Sequence, residues 1–225
     1  MKPVAMNTLL PQSVGWYGKL PSRGDFVGRG LPRPWLRSWD EWLQRAMAQA
    51  APHFGPAWRD RVTAMPPWQC VILPANDSLP AWCGIVVASA DRVGRAFPML
   101  LAEAHDLTAL DGVALASLQS RGRQLAAWLD EALCLTSLRE FESGVAGIAA
   151  APWPCDADVA AGEGESLGDW RARWPSAASF WWRISTDADV DEPLAEPWPP
   201  REALVLDWLG GSDTPADHAD HADPD

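Results

Sequence analysis

A glycine-rich stretch near the N-terminus, GWYGKLPSRGDFVGRG (residues 15–30), restricts the possible folds more than any other part of the sequence. Its five glycines and Pro21 argue against a regular helix, because glycine costs about 1 kcal/mol relative to alanine there and proline removes a backbone donor. Glycine also permits positive φ angles, and proline fixes one turn. The stretch is therefore predicted to be a shaped loop that follows a short strand over residues 14–19.

The rest of the chain alternates between helical and strand-like apolar patterns. Apolar residues at helical spacing predict a helix that begins near Pro34 and ends before Pro52. A second helix is predicted over residues 113–135, and a short closing helix within residues 199–211. Short apolar runs rich in β-branched residues predict strands over 68–74, 81–90, 97–102 and 180–184. This order predicts an α/β fold with a single mixed sheet and helices packed on its faces, in three layers.

Length and charge indicate one domain that does not bind nucleic acid. We assign residues 1–13 to an N-terminal extension, 14–210 to one α/β domain and 211–225 to a disordered acidic tail. The net charge of −12 argues against nucleic acid, because binding to phosphates needs a clustered basic face. Without a secretory signal or an apolar run of roughly 20 residues, the chain is predicted to be cytoplasmic and not embedded in a membrane.

The sequence contains few residues suited to catalysis or cofactor binding. It lacks the G-x-x-x-x-G-K-[ST] phosphate loop, and only two histidines, His53 and His105, lie outside the C-terminal tail. Its cysteines lack zinc-binding spacing and are expected to be reduced thiols: Cys70, Cys83, Cys134 and Cys155. We therefore expect no catalytic residue, no cofactor and no metal site.

A second charged loop, DRVGRAFP (residues 91–98), repeats the glycine, arginine and proline composition of the first. Cations held on rigid loops recognise acidic groups of other proteins, although the aspartates of both loops could instead pair with nearby arginines. The loop residues predicted to contact a partner are Lys19, Arg23, Asp25, Arg29 and Arg95. Trp181 and Trp182 are further candidates, because alternation along a strand places their rings on opposite faces and predicts that one is exposed.

Three blocks of sequence together resemble one known family. They are GWYGKLPSRGDFVGRGLP (residues 15–32), DRVGRAFPM (91–99) and SFWW (179–182), in this order. The pattern is similar to the TagF family, also called ImpM, of type VI secretion-associated proteins, and the resemblance spans roughly residues 14–208. It departs modestly from the usual pattern at Trp16, where Phe or Tyr is common, and at Met99, where Leu is common.

The resemblance implies a compact α/β domain without enzymatic activity. It also implies a negative regulator that acts after translation on the type VI secretion apparatus, with the forkhead-associated scaffold protein Fha as its partner. Two other functions stay open: a sensor of a small ligand, or an undetected hydrolase, that uses the same loops, and a structural accessory subunit of the apparatus.

Overall fold

The computed structural model describes residues 10–76, 79–134, 137–153, 165–184 and 192–210. Within them seven strands form one open sheet. In chain order the strands are β1 (Ser13–Lys19), β2 (Phe26–Arg29), β3 (Trp68–Ile72), β4 (Ala81–Val87), β5 (Met99–His105), β6 (Ser179–Arg183) and β7 (Leu194–Glu196). Across the sheet the order is β2-β1-β5-β4-β3-β6-β7, and every neighbouring pair is antiparallel.

Helices cover both faces of this sheet. They are α1 (Arg33–Phe54), α2 (Trp58–Thr63), α3 (Leu107–Asp111), α4 (Leu115–Leu133), α5 (Leu138–Ala150), α6 (Leu167–Arg173) and α7 (Leu204–Trp208). The first face, which packs against α1, α2 and α7, holds a tryptophan cluster made of Trp39, Trp42, Trp181 and Trp208. The second face packs against α3 to α6. The predicted three-layer α/β fold with a single sheet is confirmed. The sheet was expected to be mixed, but each of its described strand pairs is antiparallel.

Burial on both faces explains why the sequences of the central strands are almost continuously apolar. Every residue of β3, β4 and β5 is buried, because helices cover the sheet on both sides. The predicted hairpin formed by β3 and β4 is confirmed, with Cys70 opposite Gly84. Two short edge strands, β2 and β7, were not predicted. None of the described helices combines the length and apolar character that crossing a bilayer requires.

The predicted end of the first helix is wrong. The first helix was expected to end before Pro52, but α1 continues to Phe54 and contains this proline. Pro52 has no backbone N–H to donate to the carbonyl of Ala48. Both residues are exposed, so water can hydrate that carbonyl. The proposed disordered tail, residues 211–225, lies outside the described residues.

Candidate functional site

Two loops meet at one end of the sheet. The first, residues 20–25, connects β1 to β2, and the second, residues 88–98, connects β4 to β5. They come together because β5 pairs with both β1 and β4, which brings the end of β1 beside the start of β5. The backbone N–H of Arg92 donates to the carbonyl of Arg23 over 2.8 Å, and the Ser89 hydroxyl donates to the carbonyl of Lys19 over 2.6 Å. We call these two segments the loop pair.

Asp91 is the centre of the polar contacts in the loop pair. Its Oδ1 accepts hydrogen bonds from the backbone N–H groups of Val93 and Arg95, at 3.0 and 2.9 Å. Its Oδ2 accepts from Lys19 Nζ at 3.1 Å and from Arg95 Nε at 2.6 Å. The side chain of Asp91 is fully buried. One carboxylate therefore shapes the second loop and joins it to the end of β1.

These contacts determine the charge state of Asp91. Burial alone would raise its pKa, but hydrogen bonds from Arg95, Lys19 and Val93 outweigh burial and hold the pKa well below its usual value. The carboxyl group is therefore ionised at neutral pH, and it is a weak base.

Lys19 is buried, although the sequence predicted that it lies on the partner-binding surface. Its ammonium group is buried against Asp91 and also donates to the carbonyl of Arg95 at 3.3 Å. It lies 5.2 Å from the centre of the Phe26 ring, within range of a cation–π interaction. The expectation that Lys19 is a free surface cation is wrong, because the partner of its charge is already inside the molecule.

The remaining loop residues form an exposed surface with both charged and apolar parts. Arg23, Asp25 and Arg92 are exposed, and so is most of the Arg95 side chain, whose Nη2 donates to the carbonyl of Gly24 at 2.6 Å. Two apolar side chains lie among them: Val93 is 69% exposed and Phe26 is 41% exposed. We call the set Arg23, Asp25, Phe26, Arg92, Val93 and Arg95 the loop-pair surface. It carries three guanidinium groups and one exposed carboxylate.

This surface differs from the sequence-based prediction in two ways. The suggested pairing of Asp25 with Arg23 or Arg29 is absent from the described ion pairs. Phe26 and Val93 were not identified as exposed apolar residues, although both follow directly on charged loop residues. The Phe26 ring stacks on Tyr17 at 5.5 Å and packs edge-on against Phe97 at 4.7 Å, which fixes its position.

Three other candidate residues lie away from the loop-pair surface. Arg29 is on the opposite side of β2 from Phe26 and pairs with Glu142 of α5 at 3.1 Å. Trp181 and Trp182 are on β6, on the far side of the sheet, and are 0% and 2% exposed. The prediction that one of the two rings is exposed is wrong, because α1 and α7 cover one face and α6 covers the other. Neither ring can contact a partner directly.

A second group of charged residues is buried beneath the second face of the sheet. Glu103 of β5 forms an ion pair with Arg121 of α4, and His105 Nε2 lies 3.7 Å from the same carboxylate. All three side chains are almost completely inaccessible to solvent. Burial would raise the pKa of Glu103, but His105 and Arg121 outweigh it and lower that pKa. Across the described residues, no three histidine, cysteine or carboxylate side chains come together to form a possible metal site.

The low pKa of Asp91 predicts a defined acid sensitivity. The pKa of Asp91 in the folded protein lies below its unfolded value of about 3.9. Ionised Asp91 therefore stabilises the folded protein above that pH, and this contribution is lost as the pH falls toward the folded pKa. We expect the difference in unfolding free energy between the wild type and Asp91→Asn to be largest near neutral pH and to shrink below about pH 4. Urea denaturation of both proteins across this range measures it. A difference that is independent of pH contradicts the assignment.

Comparison with known proteins identifies a family model and a solved structure that this chain resembles. A family model described as the TagF N-terminal domain, type VI secretion system-associated, matches residues 15–147. The crystal structure of PA0076 from Pseudomonas aeruginosa PAO1 superposes with a TM-score of 0.64 and 28% sequence identity, covering 88% of this chain and 94% of that chain. A search of the curated proteins gave no significant match. The matched region contains the entire loop pair.

Proposed function

Because this chain belongs to the TagF family of type VI secretion system-associated proteins, we propose that it is a post-translational negative regulator of that secretion apparatus. It acts in the cytoplasm, where it binds the scaffold protein Fha and blocks assembly of the apparatus. Such a regulator needs no catalytic turnover. Its effect depends on the fraction of Fha that it occupies, so its affinity for Fha and its copy number determine how strongly it represses secretion.

The observation that carries the proposal is the rigid loop-pair surface within the matched region. The two loops are joined by backbone hydrogen bonds and by Asp91, so their exposed side chains are held in place before a partner arrives. A preformed surface loses little conformational entropy on binding. Arginine and aromatic side chains are also enriched where proteins bind one another. Three guanidinium groups around Phe26 and Val93 suit a partner surface that is acidic with an apolar centre.

The chemistry of Asp91 supports a role in binding without catalysis. A general base works best when its pKa lies near the operating pH. The pKa of Asp91 is well below that range, and both of its oxygens already accept hydrogen bonds. Lys19, one of the two cations paired with Asp91, is buried against this carboxylate.

Reversing two exposed charges tests this surface. We expect the double variant Arg23→Glu and Arg92→Glu to weaken binding to purified Fha by at least about tenfold, because a hydrogen bond to a charged group contributes about 1.5–3 kcal/mol. Both side chains are exposed, so the fold should be unaffected. Isothermal titration calorimetry measures the affinity. Lys19→Glu is unsuitable as a test, because it would bury a second carboxylate beside Asp91.

The matched control is Arg59→Glu, which reverses an exposed charge on α2, outside the loop pair. It should bind Fha as the wild type does. If the double variant binds equally well, the partner contacts another surface. Deleting the gene tests the function itself: loss of a repressor raises secretion, whereas loss of a structural accessory subunit abolishes it.

A further inference from the structure

A cavity of about 430 Å³ lies at the same end of the strands as the loop pair but farther across the sheet, beside β3 and β6. It is bordered by α2, by the ends of β3 and β6, and by α7. Its apolar walls include Met65, Leu194 and Leu209, and the rings of Trp68 and Trp208 also line it. This volume falls within the range of small-molecule binding sites.

Trp68 and Trp208 form part of the cavity wall. The indole nitrogens of Trp68 and Trp208 are buried and lack a hydrogen-bond partner among the described residues. Trp68 belongs to the same buried core as Trp181 and Trp208, but it makes no ring contact with another described aromatic residue. Both nitrogens are inaccessible to solvent, so a ligand in the cavity contacts the ring carbons of these tryptophans and not their N–H groups.

Two arginines add positive charge at the mouth of the cavity. The Arg61 guanidinium uses one of its five N–H donors in a 3.3 Å hydrogen bond to the carbonyl of Leu209. Arg183 is exposed, and its guanidinium has no ion-pair partner within the described part of the chain. Guanidinium groups pair well with carboxylates and phosphates, whose oxygens accept several hydrogen bonds at once.

Two carboxylates limit the charge that the cavity tolerates. Glu192 and Asp207 also line it. Like charges repel at short range, so these groups disfavour a ligand that carries several negative charges, such as a nucleoside triphosphate. The arrangement therefore selects for a single anionic group attached to an apolar body.

We propose that this cavity binds a small organic molecule in which one carboxylate or phosphate group is attached to an apolar, ring-sized body. The anionic group accepts from Arg183 and Arg61, while the body packs between Trp68 and Met65. The site is separate from the loop-pair surface, so this inference does not depend on the binding of Fha.

The experiment uses benzoate and phenyl phosphate as probes, with benzyl alcohol as the neutral control of similar size. Indole N–H signals in ¹H–¹⁵N spectra report on each tryptophan, and Trp68→Phe identifies the Trp68 signal by its loss. We expect at least one of the two anions to shift the Trp68 signal saturably. The signal of Trp16, on the second face of the sheet, should not move. Comparing the two anions distinguishes a carboxylate ligand from a phosphate ligand.

Surface substitutions keep the test independent of folding. Arg183→Gln should weaken binding of the anion by about tenfold. The matched variant Arg59→Gln changes an exposed arginine on the same helix as Arg61 that does not line the cavity, and it should have no effect. The proposal is overturned if neither anion produces a saturable shift, if benzyl alcohol binds as tightly as the anions, or if Arg183→Gln leaves the affinity unchanged.

Discussion

Replacing Arg121 with methionine is expected to destabilise the protein by about 3–5 kcal/mol, because it leaves the buried carboxylate of Glu103 without its partner. Methionine fills a similar volume, so the loss reflects charge and hydrogen bonding more than a cavity. The Arg121 side chain donates to both oxygens of Glu103, with Nε at 3.1 Å from Oε2. Urea denaturation of the wild type and the variant measures the change in unfolding free energy.

Arg121 also connects α4 to the end of α5. Its Nη2 donates to the carbonyl of Ile148 at 2.9 Å, and its Nη1 donates to the carbonyl of Ala151 at 3.4 Å. These carbonyls lie at the C-terminal end of α5, where the regular helical N–H partners run out; the Ile148 carbonyl also accepts from the Ala151 N–H at 3.2 Å. Loss of Arg121 should therefore loosen α5 locally as well as lowering global stability. Faster hydrogen exchange in α5 than in α1 would show this local effect.

The control for Arg121→Met is Arg123→Met, which makes the same change two residues further along α4. Arg123 is only half-buried and donates one hydrogen bond, to Ser120 Oγ at 3.0 Å, so we expect a loss below about 1 kcal/mol. Adding Glu103→Leu to Arg121→Met removes both charges and should recover part of the stability. If Arg121→Met costs no more than Arg123→Met, the ion pair does not hold the second face of the sheet together.

The elements that could be predicted from the sequence are those with a strong pattern of apolar residues. The apolar spacing of α1 and the continuous apolar runs of β3, β4 and β5 reflect faces that are buried along their whole length. Short elements carry weaker signals: β2 is four residues long and contains Gly28. Two further helices, α5 and α6, begin with capping boxes at Ser137 and Ser166, a sequence signal that could have revealed them.

The site was harder to predict because its contacts join residues that are distant in sequence. Lys19 and Asp91 lie 72 positions apart, and only the pairing of β1 with β5 brings them together. Cationic loops indicated a charged surface, but the sequence does not show which charges are neutralised inside the molecule. Likewise, alternation placed Trp181 and Trp182 on opposite faces, whereas their burial depends on helices that cover both faces.

Gly122 shows the same limitation on a smaller scale. From the sequence it is only a weak point in α4. In the structure, a Cβ atom at this position would lie 2.1 Å from Oε1 of the buried Gln69 side chain. Gln69 Nε2 in turn donates to the carbonyl of Leu118 at 2.6 Å. The glycine therefore lets the helix lie close to β3, a reason that propensity alone cannot show.

Three glycines in or near the loop pair differ in what they do, and alanine substitution is expected to separate them. Gly30 has a φ of +83°, and a Cβ there would lie 2.1 Å from the carbonyl oxygen of Val14. Gly94 has a φ of +78° but open space around it, and Gly24 has neither constraint. The left-handed conformation costs an L-residue about 1–2 kcal/mol, and a clash with rigid backbone adds about 1–3 kcal/mol.

We therefore expect Gly30→Ala to lower the unfolding free energy by about 2–5 kcal/mol, Gly94→Ala by about 1–2 kcal/mol, and Gly24→Ala by less than about 0.5 kcal/mol. Urea denaturation of the three variants measures the series. Gly30→Ala should also weaken binding to Fha, because it displaces β2 and with it Phe26, whereas Gly24→Ala should not. Equal stability of Gly30→Ala and Gly24→Ala would mean that the close approach of Gly30 to β1 does not shape the loop-pair surface.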